Sequence, residues 1–196
     1  MEVNLKPIYG PWADGYVLDK HTLKSVHIGD NEQGYPQFDT TRSEAGEALY
    51  QLKYANDYSQ AKPLAQAINE HILPHFPKIG LIVPVPPSTK RTRQPVQEIA
   101  NELAKMIGVE VFTDIVRAVP LAPDAPKLKN LGSKEEKVEA LKDRFILNEA
   151  ITNEGSWNAL LLDDLYDTGA TMEAVCAVLQ TYPKIAKVYA AAATWK

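Results

Sequence analysis

Asp163 and Asp164 stand side by side at the end of the apolar run Ala159-Leu160-Leu161-Leu162. Two residues further on comes Asp167-Thr168-Gly169-Ala170-Thr171. Adjacent carboxylates repel, and burial raises the cost of ionising them, so the pair asks for a compensating partner. Ribose hydroxyls suit it as hydrogen-bond donors, and Mg²⁺ suits it because that ion prefers oxygen ligands. Gly169 lets backbone amides approach a ligand closely, Thr168 and Thr171 bring hydroxyls, and the free amides at a helix start favour an anion. The segment implies one pocket with a phosphate at a helix end and a polyol beside it. Taken alone, Asp167 or Thr168 could simply cap a helix and Gly169 make a tight turn; the whole pattern from 159 to 171 is far more specific.

A second cluster is basic. Pro84-Val85-Pro86-Pro87 leads into Ser88, Thr89, Lys90, Arg91 and Arg93. Pro86 and Pro87 have no amide hydrogen, so Ser88 and Thr89 are the better backbone donors for a phosphoryl group. Cations at a helix N-terminus are unfavourable unless an anion offsets them. A bound pyrophosphate would do so; the bland alternative is a solvated basic turn.

These residues need elements to hold them. Residues 79–85 form a short apolar run that reads as a buried parallel strand. A helix is expected from Pro95 to Ile107, with Ile99, Leu103 and Met106 spaced for burial, and a second strand over 109–115. Asn158–Leu162 is the most apolar strand, followed by a helix over 171–181 and a last strand over 187–193. From residue 79 the order is strand, helix, strand, loop, strand, helix, strand, which gives an α/β domain with a mainly parallel sheet. Ligands in such sheets bind at the carboxyl ends of the strands. Upstream, residues 43–57 and 60–73 each show helical spacing, with Pro74 and Pro77 ending the second. Residues 1–48 read as β-rich hood material around the polar turn 29–34, and 49–196 as the α/β domain. The segment 118–134 has no packing period and reads as a lid or a surface loop, followed by a short helix over 135–141 and a strand over 145–147.

The segment LLLDDLYDTGAT resembles the phosphoribosyl-pyrophosphate (PRPP) signature of the type I phosphoribosyltransferases, matching it at every defined position. That resemblance implies a type I phosphoribosyltransferase-like sheet flanked by helices. It also implies Asp163 and Asp164 on the ribose 2′- and 3′-hydroxyls, with Mg²⁺ held there, in some members through water, and residues 167–171 around the 5′-phosphate. Asp167 would lie near the reacting ring, so Asp163, Asp164 and Asp167 are the catalytic candidates. Pyrophosphate would fall to Ser88, Thr89, Lys90, Arg91 and Arg93. A flexible loop that closes over the reaction would offer Arg117, Lys127, Lys129 or Lys134. Leu52-Lys53-Tyr54, the Pro84-Val85-Pro86 turn and Arg144-Phe145 are similar to the ComF-like branch. Two features depart from it. The paired N-terminal cysteines of that branch are absent, and of its RGFNQ segment only Arg93 and Gln97 are kept. The resemblance implies a Mg-dependent transferase moving phosphoribosyl from PRPP to a nitrogenous acceptor, a nucleobase or an amine. The alternative it leaves open is a non-catalytic PRPP or nucleotide sensor linked to competence or DNA uptake. Many members of the family are dimers, so a homodimer is compatible.

Composition narrows the class further. The chain has 196 residues, 21 basic against 25 acidic, for a net charge of -4. That balance gives no footprint for direct duplex binding. Its single cysteine, Cys176, rules out an internal disulfide and sits among apolar helix positions as a buried small side chain. His71 and His75 are four apart, but Pro74 interrupts the helix that would align them. Lys53-Tyr54 could either pack on a sheet edge or close a site. No apolar run reaches bilayer length and no signal peptide is visible, so a cytoplasmic location is expected.

Overall fold

The computed structural model describes residues 1–89, 91–120, 133–141 and 143–196. The expected Lys90, Lys127 and Lys129 lie outside these residues. The core is a six-stranded sheet built from β1 (Lys6–Pro7), β2 (Gly15–Lys20), β5 (Leu81–Pro84), β6 (Glu110–Val111), β9 (Trp157–Tyr166) and β10 (Ile185–Trp195). Its order is β1-β2-β10-β9-β5-β6, and only β1 runs antiparallel. A second pair, β3 (Thr22–Asp30) and β4 (Pro36–Arg42), forms an exposed antiparallel ribbon. A third, β7 (Val116–Ala118) with β8 (Phe145–Leu147), lies apart from the main sheet.

Continuous apolar runs make this sheet possible, because both of its faces are covered. Successive strand residues point to opposite faces. Leu18, Ile82, Leu160, Leu162, Ala191 and Ala193 meet α1 (Glu44–Tyr50), α2 (Ala61–His71) and α3 (Pro95–Ile107). Val17, Leu81, Val83, Ala159, Leu161 and Ala190 meet α5 (Ala170–Gln180) and the β7 residue Val116. α3 opens with Pro95 in its first turn and closes on Gly108 at φ 70°; these are the residues that start and stop helices most cleanly. A short α4 (Lys134–Ala140) starts on a reciprocal Ser133/Glu136 capping box.

The α/β class with a mainly parallel sheet matches the sequence expectation. The differences lie at element ends. The first 48 residues divide: β1 and β2 enter the central sheet, and only the β3–β4 ribbon stands out from it. The strand expected over 109–115 keeps just two residues in the sheet, after which the chain leaves to build β7. The helix expected over 43–57 is α1 followed by a π-helical turn, Gln51–Ala55, that stops at Asn56 with φ 56°. β9 and β10 are longer than expected, so both Asp163 and Asp164 lie inside a strand.

Chain order now fixes where a ligand can enter. From β5 the chain crosses through α3 to β6 on one side. From β9 it crosses through α5 to β10 on the other, over the opposite face. The direction of winding reverses between β5 and β9, and the crevice at their carboxyl ends is the favoured site in open α/β sheets. No described helix is long and apolar enough to cross a membrane.

Candidate functional site

β5 and β9 run side by side until Pro84 faces Leu162, and the Val85 amide gives the last bond to the Leu162 carbonyl at 2.8 Å. Here they part. β5 turns into Pro86-Pro87-Ser88-Thr89, while β9 continues on β10 alone through Asp163, Leu165 and Tyr166. The parting leaves the carboxyl end of β9 open on its β5 side.

Asp163 and Asp164 leave β9 in opposite directions, as adjacent strand residues must. Asp163 lines a cavity of about 190 Å³ with Thr168, Gly169, Thr171, Lys137 and Lys196. Its carboxylate accepts the Asp164 amide at 2.8 Å. Burial, with the Asp164 charge added, pushes its carboxyl up to about 7. Asp164 instead meets Lys53 at 2.8 Å, with both side chains largely covered. Its backbone carbonyl accepts from the buried Thr194 hydroxyl at 3.3 Å, and that hydroxyl lies 3.2 Å from His21 Nδ1. Burial and the nearby Lys53 and Arg42 charges lower the His21 pKa.

Thr168 and Gly169 turn the chain into α5. Gly169 adopts φ 83°, and a Cβ there would lie 2.7 Å from the Tyr166 hydroxyl. Its presence therefore has a steric and a conformational cause. No side chain caps α5, so the local-cap use of Asp167 or Thr168 does not apply. The first residues of α5 line the cavity with Lys137 and Lys196, and a helix start beside two cations favours a phosphate. Asp167 is partly exposed and bonds Lys137 at 2.8 Å; this ion-paired hydrogen bond lowers its pKa.

The basic turn is arranged differently. Arg91 donates to the Lys53 carbonyl and lies over the Tyr54 ring. Arg93 is paired with Glu98 and lies 3.8 Å from the Tyr58 ring centroid. Gln94 donates to the Thr89 carbonyl at 3.0 Å. Among the loop candidates, Arg117 pairs with Asp114 at 3.2 Å and Lys134 with Glu173 at 2.6 Å.

Among the described residues no cluster of three or more His, Cys, Asp or Glu is placed to hold a metal ion. Magnesium does not need one. It binds through one or two carboxylates and keeps substrate oxygens and waters as its other ligands. Asp163, half-buried and repelled by Asp164, fits that role.

Sequence reasoning missed Lys137, Lys196, His21 and Thr194, and left Lys53 undecided. Two of these carried a signal. Lys137 lies on the short helix expected over 135–141, three positions after the loop candidate Lys134. Lys196 follows the last parallel strand, whose carboxyl end must lie at the site end of the sheet. A larger cavity, about 410 Å³, sits at the opposite end among Gly80, Leu81, Glu110 and Trp157. It lies at the amino ends of β5, β6 and β9, away from these charged groups.

No protein-family model matches the chain, and no curated protein matches it. Among solved structures it is similar to adenine phosphoribosyltransferase from Saccharomyces cerevisiae complexed with an imino-altritol bisphosphate and adenine. That match has a TM-score of 0.43 and 14% identity, over 87% of this chain and 84% of that one. Adenine phosphoribosyltransferase from Thermoanaerobacter pseudethanolicus gives 0.42 and 16%, over 88% and 95%. UMP synthase from Leishmania donovani gives 0.39 and 13% over 81% of this chain, which spans 25% of that longer one. At this distance the likeness assigns no residue a role.

Proposed function

We propose that the protein is a Mg-dependent phosphoribosyltransferase that uses PRPP and transfers phosphoribosyl to a nitrogenous acceptor, a nucleobase or an amine, with release of pyrophosphate. One observation carries the reading: Asp163 and the uncapped start of α5 share a cavity with Lys137 and Lys196 beside the β5–β9 switch point. A ribose phosphate has both matching parts, hydroxyls for the acid and a dianion for the helix end. Asp163 and Asp164 would orient the ribose, and Thr168, Gly169, Ala170 and Thr171 would hold the 5′-phosphate. Asp167 would stand near the ring. Ser88, Thr89, Lys90, Arg91 and Arg93 would bind pyrophosphate where its charge develops. Arg117, Lys127, Lys129 and Lys134 would be the candidates for a cation brought by the loop. Magnesium, held by Asp163 and Asp164 directly or through water, would supply neutralisation of the pyrophosphate.

Calorimetric titration with PRPP and Mg²⁺, beside ribose 5-phosphate, tests this. PRPP binding clearly tighter than ribose 5-phosphate is expected. Binding of neither ligand would overturn the reading.

A second reading is a PRPP or nucleotide sensor without turnover. The Arg93 contacts favour it, since that guanidinium is held by Glu98 and Tyr58. PRPP binding with no pyrophosphate released across a panel of nucleobases and amines would select it.

A further inference from the structure

The Lys53–Asp164 pair is the part of the site that the signature leaves unexplained. The two residues are 111 positions apart, their side chains are 16% and 17% exposed, and they meet at 2.8 Å. Lys53 comes from the π-helical turn Gln51–Ala55. Such turns are rare and occur frequently at functional sites.

The backbone of Lys53 belongs to a different part of the crevice from its ammonium. Arg91, from the turn after β5, donates to the Lys53 carbonyl and stands 5.6 Å from the ring of the next residue, Tyr54. Lys53 is thus anchored beside the basic turn and reaches across to the acid of β9. It spans the two halves of the crevice.

Asp164 does not depend on Lys53 for its place. It lies within β9, and Thr194 bonds its carbonyl from β10. An ammonium on a flexible four-carbon stem is an exchangeable counter-ion in this setting.

We infer that Lys53 is a pyrophosphate-binding residue held on Asp164 until sugar hydroxyls take that carboxylate. The inference rests on the transferase-site reading and adds the residue that joins its two halves. When ribose hydroxyls donate to Asp164, the attraction on Lys53 falls and the ammonium turns toward the diphosphate beside Arg91. A ligand with a sugar but no diphosphate displaces Lys53 with no compensating anion. The exchange therefore discriminates PRPP from ribose 5-phosphate.

The test is calorimetry in Mg²⁺ on the full chain and on Lys53→Met and Lys53→Arg. Lys53→Met is expected to weaken PRPP about tenfold or more while ribose 5-phosphate is unchanged or tighter, because Asp164 is then unoccupied. Lys53→Arg is expected to keep the preference for PRPP. Equal losses for both ligands, or no loss for PRPP, would overturn the inference and leave the site reading standing. A wild-type protein that binds neither ligand would overturn both.

Should Lys53→Met fail to fold, Asp164→Asn supplies the opposite sign. It frees the ammonium, and inorganic pyrophosphate in metal-free buffer should bind about threefold or more tightly. Asp163→Asn also removes a carboxylate but frees no lysine, so it should give the smaller gain. Equal gains from the two variants would overturn the inference.

Discussion

The carboxyl ends of β9 and β5 border the same crevice, yet their polar groups are in opposite states. On β9, Asp163 is half-buried with a raised pKa and α5 starts without a side-chain cap. Asp163 takes neighbouring backbone amides and the α5 start takes no side chain, so both stand ready for a ligand, while Asp164 is held by Lys53. On β5, the two described arginines of the following turn have partners already: Arg91 has the Lys53 carbonyl and Arg93 has Glu98. On the proposed reading, a ribose phosphate would meet a half-site that is preorganised at Asp163 and the α5 start and must displace the one contact of Lys53 with Asp164, whereas a diphosphate must displace the contacts of the arginines. Preorganisation lowers the cost of binding. The β9 half should therefore carry most of the affinity, and the β5 half most of the discrimination.

The largest expected effect tests the β9 half directly. Asp163→Asn with Asp164→Asn removes two charged acceptors, each worth about 1.5–3 kcal/mol when it receives a hydrogen bond. Ribose 5-phosphate and PRPP should both weaken by about a hundredfold or more, in a protein whose circular dichroism is unchanged. Unchanged affinity in that folded double variant would remove the basis of the comparison. Gly169→Val is next. It forces a β-branched residue to φ 83° and drives a Cβ to within 2.7 Å of the Tyr166 hydroxyl. Strain at such positions costs about 1–3 kcal/mol. A fall in the unfolding midpoint should accompany a loss of at least about tenfold in affinity for both ligands. A preserved affinity would mean that the 5′-phosphate lies elsewhere.

The raised pKa of Asp163 gives a third test, in ligand-free, chelator-treated protein. Its carboxyl moves from 3.8 when unfolded to about 7 when folded, chiefly through burial. Between these values the native state binds the additional proton, so stability falls as pH rises through that window and levels off above it. Urea midpoints from pH 4.5 to 8 should show this decline, and Asp163→Asn should reduce it. His21 acts with the opposite sign. Its lowered pKa means that the unfolded state binds the extra proton, so stability rises with pH up to about the free histidine value. A wild-type curve that Asp163→Asn leaves unchanged would show that this acid is not buried with its charge uncompensated.

What could be read from sequence follows the range of the interactions. The 159–171 segment was legible because strand, turn and helix start are local, with Gly169 marking a backbone conformation that its neighbours impose. The covered sheet was legible because Ala159–Leu162 is apolar at successive positions, which both faces require. The Lys53–Asp164 contact was not, since it joins residues brought together only when α1 packs against β10. Nor was the early end of β6, where the Phe112 amide still reaches the Ile82 carbonyl before the chain departs for β7. The π-helical turn left no signature either: the pattern from Ala45 to Leu52 has the same apolar spacing as an uninterrupted helix.

The smallest effects separate the two arginines of the β5 turn. Arg93 stands 48% exposed in its pair with Glu98, and exposed pairs of this kind add little to stability. Arg93→Ala should leave folding nearly unchanged and weaken PRPP by less than about threefold, since its guanidinium is held by Glu98 of α3 and by the Tyr58 ring. Arg91 contacts Lys53 and Tyr54, on the side of the crevice where the diphosphate would lie. Arg91→Ala should therefore weaken PRPP more than Arg93→Ala does, with ribose 5-phosphate affected less than PRPP. Parallel titrations of the two variants measure this. If Arg93 proves the costlier loss, its pair with Glu98 must open on binding, and the β5 half rearranges more deeply than its internal contacts suggest. If both variants lower the two ligands equally, neither arginine reads the diphosphate, and the discrimination assigned to the β5 half must come from Lys53 or the Ser88–Thr89 amides.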